Sequence, residues 1–431
     1  MAQLSFKAAG LAMGVTGTLA FAAPALAQQD TEAMQRQLDA LRAQVERMEQ
    51  QLDTQQSTTT ADSSQATTQT RDLAEENRSL IESIQNSQFS GTLQLKATYD
   101  DWSKNNQANK DTAGDMNFGK FVLGIDGQHG NFLYGFEYRF YDGYQFLKKG
   151  WMGYQASDND TVKVGLVQTP FGNMDYGYLG WYGTLPYISG FNDNQNAGIK
   201  WDHTQGAWDT SLAFFKSDQL GDGNEHYGAN PVADKRGNTS ENQLAGRVAY
   251  TFGQGTDYTT EINFSAKGGQ LYNNQTNDSG SNWQAAVGLN GSYGSWLTQL
   301  QATTYEYDPE NLAGDNDDII YVGAFNYSYP IPAEGEMYSA SVGYSMNVDW
   351  GDIDNLYFYN DFSIIDPSED FPLGGSDDVS NPKLNDLGMK VTAGPYYSWF
   401  SVISGKNALT YFGPADGDWH TSVQANFGLN F

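Results

Sequence analysis

The chain has 431 residues, no cysteine, 39% hydrophobic and 14% aromatic residues, and a formal charge of -29 from 23 basic and 52 acidic side chains. The lack of thiols excludes a disulfide framework, a thiol nucleophile and a thiolate metal site. No basic, aromatic-interleaved patch of a nucleic-acid binder and no phosphate-cradling glycine loop is present.

The chain opens on MAQLSFKAAGLAMGVTGTLAFAAPALAQQD: one lysine, an apolar stretch and a small-residue Ala-Leu-Ala site. This pattern predicts a secretory signal peptide over 1–27, cut after Ala27, and so an exported protein. After it, no stretch approaches the roughly 20 apolar residues of a spanning helix. Met34, Leu38, Leu41, Val45, Met48 and Leu52 follow at spacings of 4, 3, 4, 3, 4, a heptad seam that predicts a coiled coil over 28–56. An amphipathic helix laid on another domain would show the same stripe; the strict register favours self-association. A Ser/Thr/Gln-rich run reads as a polar linker over 57–70, and the seam resumes weakly at Leu73, Asn77, Leu80 and Ile84 as a short helix over 71–87.

From residue 88 to 431 the period changes to two. In GNFLYGFEYRF, Phe132, Tyr134, Phe136, Tyr138 and Phe140 alternate with Glu137 and Arg139 on the other face; LAGRVAYTF and WQAAVGLNGSY alternate likewise. A soluble sandwich would also alternate. Rings clustered at strand ends, near-continuous strands, and short turns (GQHGN, TQGA, FGQGT, YGSW) alternating with long polar loops favour a transmembrane β-barrel. About 17 segments look strand-like, whereas a bacterial barrel with both ends on one side needs an even number. Loop lengths put the misfit at IDNLYFYNDFSIID, residues 353 to 366, read as an excursion that does not span. The expectation is therefore an all-β, 16-stranded antiparallel barrel with a periplasmic α-helical coiled coil before it.

The closing VQANFGLNF places Val423, Ala425, Phe427, Leu429 and Phe431 on one face, as a strand needs if its outer face meets lipid while its edge pairs with the first strand. Phe427, Leu429 and Phe431 also resemble the C-terminal signal read by the outer-membrane assembly machinery. The layout as a whole resembles the porin O and P family, the phosphate-selective porins, and above all its coiled-coil-bearing dicarboxylate-type relatives. VKVGLVQTPFG (162 to 172), YNDFS (359 to 363), ISGKN (403 to 407) and the aromatic terminus carry that resemblance. It implies a trimeric, 16-stranded channel of the Gram-negative outer membrane, among its lipid and lipopolysaccharide, with a third loop folded inward to narrow the pore. One departure is plain: the phosphate-selective members carry dense lysine and arginine ladders, and this chain is acidic.

With apolar residues facing out, the inward positions hold Lys96, Lys120, Arg139, Lys163, Lys200, Arg247, Lys267 and Lys390, along with Asp126, Glu137, Asp202 and Glu261. The densest acidic runs, DNDD at 315 to 318 and the SED and SDD of 368 to 378, fall in long loops. There, a Debye length of about 8 Å at physiological salt weakens their action on the pore. Lumen charges act through low-dielectric walls. The expected function is a passive diffusion channel for small hydrophilic solutes with mild anion preference, phosphate-like or dicarboxylate. Pairing of these lysines with lumen acids would remove that preference. Tyr176, Tyr178, Trp181, Tyr182 and Tyr187 in the third loop either stack on sugars or, the favoured reading, pin the loop to the wall. A carbohydrate-type or unselective channel is thus the alternative. A lipid hydrolase would need a histidine beside a serine on the outward face, and His129, His203, His226 and His420 do not meet that pattern. No metal site or cofactor is expected; DNDD lacks the spacing of a calcium loop.

Overall fold

The computed structural model describes residues 43, 47, 87–102, 110–219, 223–369, 371 and 381–431. The signal peptide, coiled coil, linker and short helix expected before residue 88 lie outside the described residues, save for residues 43, 47 and 87. Among the described residues the strands are β1 (Ser87–Asp100), β2 (Asp115–His129), β3 (Phe132–Phe140), β4 (Gln145–Gln155), β5 (Asp160–Gln168), β6 (Gln195–Gln205), β7 (Trp208–Ser217), β8 (Asn230–Pro231), β9 (Asn238–Phe252), β10 (Tyr258–Asn273), β11 (Ser279–Tyr293), β12 (Trp296–Asp308), β13 (Ile319–Ala324), β14 (Tyr327–Pro332), β15 (Glu334–Trp350), β16 (Ile353–Pro367), β17 (Lys383–Ala393), β18 (Tyr396–Lys406) and β19 (Trp419–Asn430). Two single-turn helices, α1 (Leu185–Ile188) and α2 (Ala233–Arg236), lie between β5 and β6 and between β8 and β9.

All strands but β8, β13 and β14 close into one antiparallel barrel of 16, each paired with its sequence neighbours in the ring and β19 returning to β1. At the seam Thr92 lies opposite Asn430, and Gly91 and Phe431 exchange both backbone hydrogen bonds at 2.7 and 3.1 Å. Two-residue connections at 130–131, 206–207, 294–295, 351–352 and 394–395 mark one rim. Each begins with a glycine at φ between 54 and 67°, the left-handed backbone that tight hairpins require at their first central position. The long loops gather at the other rim.

The two faces of the wall are inverted relative to a soluble protein. Leu244, Phe264, Met152 and Phe89 point outward and are more than half exposed, while Gln94, Asn263, Gln301, Ser341, Ser401, Gln424 and Asn426 point inward and are buried. Outward aromatics crowd the short-turn rim (Phe132, Trp208, Tyr258, Trp296, Trp350) and recur toward the other (Trp283, Tyr338, Trp419). A continuous apolar exterior bounded by aromatic girdles on a closed, edge-free sheet is the form that lipid imposes on β structure. On the inner face, tyrosine rings lie flat over glycines of the neighbouring strand: Tyr357 over Gly343 and Tyr397 over Gly428. The rings thus cover backbone without filling the lumen.

The barrel has the 16 strands expected from the sequence, but the segment that leaves the wall is not 353 to 366. Residues 353 to 366 form β16, paired along its length with β15 and β17. The segment that does not span is IIYVGAFNYSYPIP, residues 319 to 332, which folds as the hairpin β13–β14 and adds the short β8. The burial of β13 does not alternate, because both of its faces are covered. Pro330 and Pro332 also remove the donors that a central strand needs.

Candidate functional site: the lumen and its inward loop

The 26 residues from Thr169 to Asn194, joining β5 to β6, lie inside the barrel. Thr169 N donates to Asn194 O at 2.8 Å and closes the base. The loop then runs along the wall of β9 to β12. Gly172 N donates to Ser265 Oγ at 2.8 Å, Asn173 N to Gln301 Oε1 at 2.8 Å, and Arg247 Nε to Gly172 O at 2.9 Å. Its tip reaches β16 and β17, where Leu179 N and Gly180 N donate to Asp361 at 3.0 and 2.7 Å and Tyr182 N to Asp386 at 2.9 Å. Such bonds supply what a buried loop backbone otherwise lacks.

Beyond the tip, the lumen beside β10 to β18 is filled. Leu185 and Ile188 of α1, Ile320, Val322, Tyr329 and Ile331 of the hairpin, Leu409 and Phe412 of the loop before β19, and inward Leu271, Tyr305, Met337, Ile365 and Ile403 form one apolar core. Tyr329 Oη donates to Ile188 O at 2.6 Å, tying the hairpin to the inward loop. Burial pushes the Tyr178, Tyr182 and Tyr187 phenols far up, so they stay neutral. Against β3 to β6 the lumen is open: Lys148, Lys149, Lys163, Lys200, Trp151, Glu137 and the loop's Asp175, Tyr176 and Asp193 line a cavity of about 440 Å³.

Lys148 and Lys149 are adjacent in sequence, yet both enter this cavity because the β3–β4 register slips between Glu137 and Tyr138, leaving an extra residue in β4. Lys148 lies between the Tyr176 and Tyr227 rings, 4.8 and 4.5 Å from their centroids, and 3.3 Å from Asp193 Oδ2. Asp193 also accepts from Tyr227 Oη at 2.6 Å and Gln168 Nε2 at 2.9 Å. Burial still holds its carboxyl above the usual range, outweighing the Lys148 charge. Most other wall cations are matched: Lys149 to Asp126 at 2.7 Å, Arg139 to Glu137 at 2.6 Å, and Lys163 and Lys200 both to Asp202 at 3.2 Å.

The residues singled out in the sequence are thus dispersed. Lys120 rests 5.0 Å from the Trp181 ring, with no carboxylate of a described residue within salt-bridge distance. Lys390 lies likewise over Trp399 at 5.2 Å. Lys96 is half-buried on the inward phase of β1. Arg247 sits under the base of the inward loop and binds Glu261 at 2.5 Å, and Lys267 is buried in β10; neither lines the open cavity. Tyr176 is 44% exposed. Tyr178 packs on Tyr187, Tyr187 on Tyr227, Trp181 on Trp399, and Tyr182 on Phe412. Phe427, Leu429 and Phe431 occupy the outer face, where Phe427 meets Phe400 and Phe431 meets Phe121. Sequence reasoning missed Lys148, Lys149, Asp193, Asp361 and Asp386; the doubled KK inside an alternating strand was the one signal of the bulge.

An apolar-jacketed, closed barrel of 16 antiparallel strands with a loop folded into a polar lumen defines the architecture of the outer-membrane porins. Solved structures share it: the outer-membrane channel DcaP of Acinetobacter baumannii (12% identity, TM-score 0.52, covering 80% of this chain and 97% of that one) and OmpF of Salmonella typhi, solved as a complex with daunomycin (10% identity, TM-score 0.55, 80% and 97%). No family model and no curated protein matches the chain.

Proposed function

We propose that the protein is a porin of a Gram-negative outer membrane, a passive diffusion channel for small hydrophilic solutes with a mild preference for anions such as dicarboxylates or phosphate. The single observation that carries this reading is the arrangement at the inward loop: one side of the lumen is closed by a core, and the open side is lined by Lys148, Lys149, Lys163 and Lys200, with Lys120 and Arg139 in the wall beside them under the Trp181 and Tyr227 rings. Pairing with Asp126, Glu137, Asp193 and Asp202 reduces the excess of positive charge without cancelling it, which is why the preference is mild. The inward loop forms the constriction, and its aromatic residues serve chiefly as packing. Tyr176, exposed beside Lys148, supports a second reading in which neutral sugars stack there.

The short-turn rim faces the periplasm, where the coiled coil would extend, and the long acidic loops face outward among lipopolysaccharide. A homotrimer and delivery by the barrel assembly machinery through Phe427, Leu429 and Phe431 complete the proposal, with the porin O and P family and its dicarboxylate-type relatives as the proposed kin. A hydrolase is disfavoured: the His420 ring nitrogens engage Asp101 at 3.3 Å and Asp416 at 3.0 Å rather than Ser422. The test is conductance of purified protein in planar bilayers under a salt gradient. A reversal potential of the sign set by anion flux, with block by dicarboxylates exceeding block by sugars, is expected. Absence of conductance, or cation selectivity, overturns the reading.

A further inference from the structure

We propose that the cavity where β7 ends and β9 begins, covered by the segment 223–233, is a binding site for a primary ammonium group held by the carboxylate of Asp218. The inference does not depend on the channel reading.

The cavity measures about 200 Å³ and lies at the long-loop rim. Asp218 and Glu241 bring carboxylates to it, Ser217 and Ser240 hydroxyls, and Pro231 and Val232 an apolar wall. Asp218 is only 7% exposed, and its two oxygens differ. Oδ2 accepts Ser240 N at 3.1 Å, and the Ser240 hydroxyl also turns to this carboxylate, whereas Oδ1 is buried with no hydrogen-bond partner among the described residues. No lysine or arginine of the described residues lies within salt-bridge distance of it. A buried carboxylate oxygen left in this way costs free energy that a bound donor recovers.

The lining selects the kind of donor. Its own donors are spent: the Ser217 hydroxyl on Gln219 O at 2.9 Å, Gln219 Nε2 on Gln195 O at 3.0 Å, and the Asn230 amide in a reciprocal pair with Asn194. What remains on offer is lone pairs, so the ligand must bring N–H or O–H groups. Negative charge at Asp218 and Glu241 favours a cation among such ligands. A hard divalent ion takes about six to eight oxygens, and no group of three acidic or histidine side chains among the described residues is placed to hold a metal. A primary ammonium brings three donors on one compact charge, and Pro231 and Val232 give its first carbons an apolar face.

The probe is n-propylamine, with 1-propanol as its uncharged counterpart, followed by ligand-observed NMR on the full-length barrel in phosphatidylcholine nanodiscs. Saturable binding of the amine and not of the alcohol is expected at pH 8, weakened at least about ten-fold by Asp218→Asn. Burial pushes the Asp218 carboxyl up to about 7, so it is ionised at pH 8 and mostly protonated at pH 6, and affinity should fall about ten-fold between them. Lys267 of β10 and Tyr307 of β12 also act on Asp218, as does Glu241 of β9, which holds Lys216 at 2.7 Å; His226, pushed down to about 4, stays neutral over this window. If the asparagine variant does not fold, Ala233→Leu, which narrows the cavity with Asp218 intact, is read the same way. Weaker amine binding in discs that also contain phosphatidylethanolamine names a lipid headgroup as the source of the ammonium, and equal binding names a free amine; either supports the site. No saturable binding at pH 8, equal binding of amine and alcohol, displacement of the amine by calcium at equal concentration, or unchanged affinity in a folded variant overturns the proposal.

Discussion

Neutralising Lys120, Arg139 and Lys163 together, as Lys120→Met, Arg139→Met and Lys163→Met, removes half of the cations around the open side of the lumen. In the native wall, Lys120, Arg139, Lys148, Lys149, Lys163 and Lys200 face Asp126, Glu137, Asp175, Asp193 and Asp202. After the substitutions three cations face the same five carboxylates, with Glu137 stripped of its 2.6 Å partner and Asp202 of one of two. A unit charge about 5 Å from a passing ion is worth roughly 0.8 kcal/mol at the dielectric of water and about 3 kcal/mol at that of a protein surface. Screening over a Debye length of about 8 Å reduces each by about half. Because the change acts with opposite sign on anions and cations, the permeability ratio should fall by at least about ten-fold, the equivalent of 1.4 kcal/mol. Reversal potentials under a salt gradient read this directly, and the variant should turn cation-selective. A ratio altered by less than about two-fold, with conductance intact, would show that wall charge does not set selectivity.

Selectivity should also depend on pH through Asp193. Burial holds its carboxyl above the ordinary range, so acidification neutralises it before an ordinary carboxylate and leaves Lys148 unmatched; anion preference should rise, and Asp193→Asn should abolish that rise in reversal-potential measurements. His226, in the loop between β7 and β9, is pushed down to about 4 by burial. Its folded value thus lies below the unfolded one near 6.5, so closure of this loop is at full strength above pH 6.5 and loses up to about 3 kcal/mol by pH 4. Hydrogen exchange over 223–237 should accelerate across that window, and a flat profile would refute the assignment. Gly428→Val places side-chain atoms in the Tyr397 ring, which breaks the 3.2 Å bond from Gln94 Nε2 and should cost about 1–3 kcal/mol of overpacking; a lower melting temperature in detergent checks it.

The period of two made the barrel legible, because lipid outside and water inside leave opposite residue types on alternate positions of every strand. What it could not convey is which apolar run leaves the wall. Residues 319 to 332 are as apolar as a strand, but they pack on loops rather than lipid, and only Pro330 and Pro332 mark the difference. Residues 353 to 366 read as the misfit by loop length, because taking 319 to 332 for a spanning strand reverses the sense of the strands after it; the loop backbone that Asp361 and Ser363 meet lies almost 200 residues away in the chain, where no local pattern reveals it. Alternation likewise located Lys163 and Lys200 but not Lys148, since a bulge resets the phase by one residue. Arg247 shows the limit of reading direction alone: it points inward and is spent on Gly172 and Glu261.

The ring closes between β1 and β19, joining side chains 338 positions apart. Until that seam forms, both margins of the sheet carry open rows of amide and carbonyl groups, each a template for pairing with any other extended polypeptide. Contacts so remote in the chain are slow to find. A product truncated before β19 would therefore keep both margins open, with no means of sealing itself.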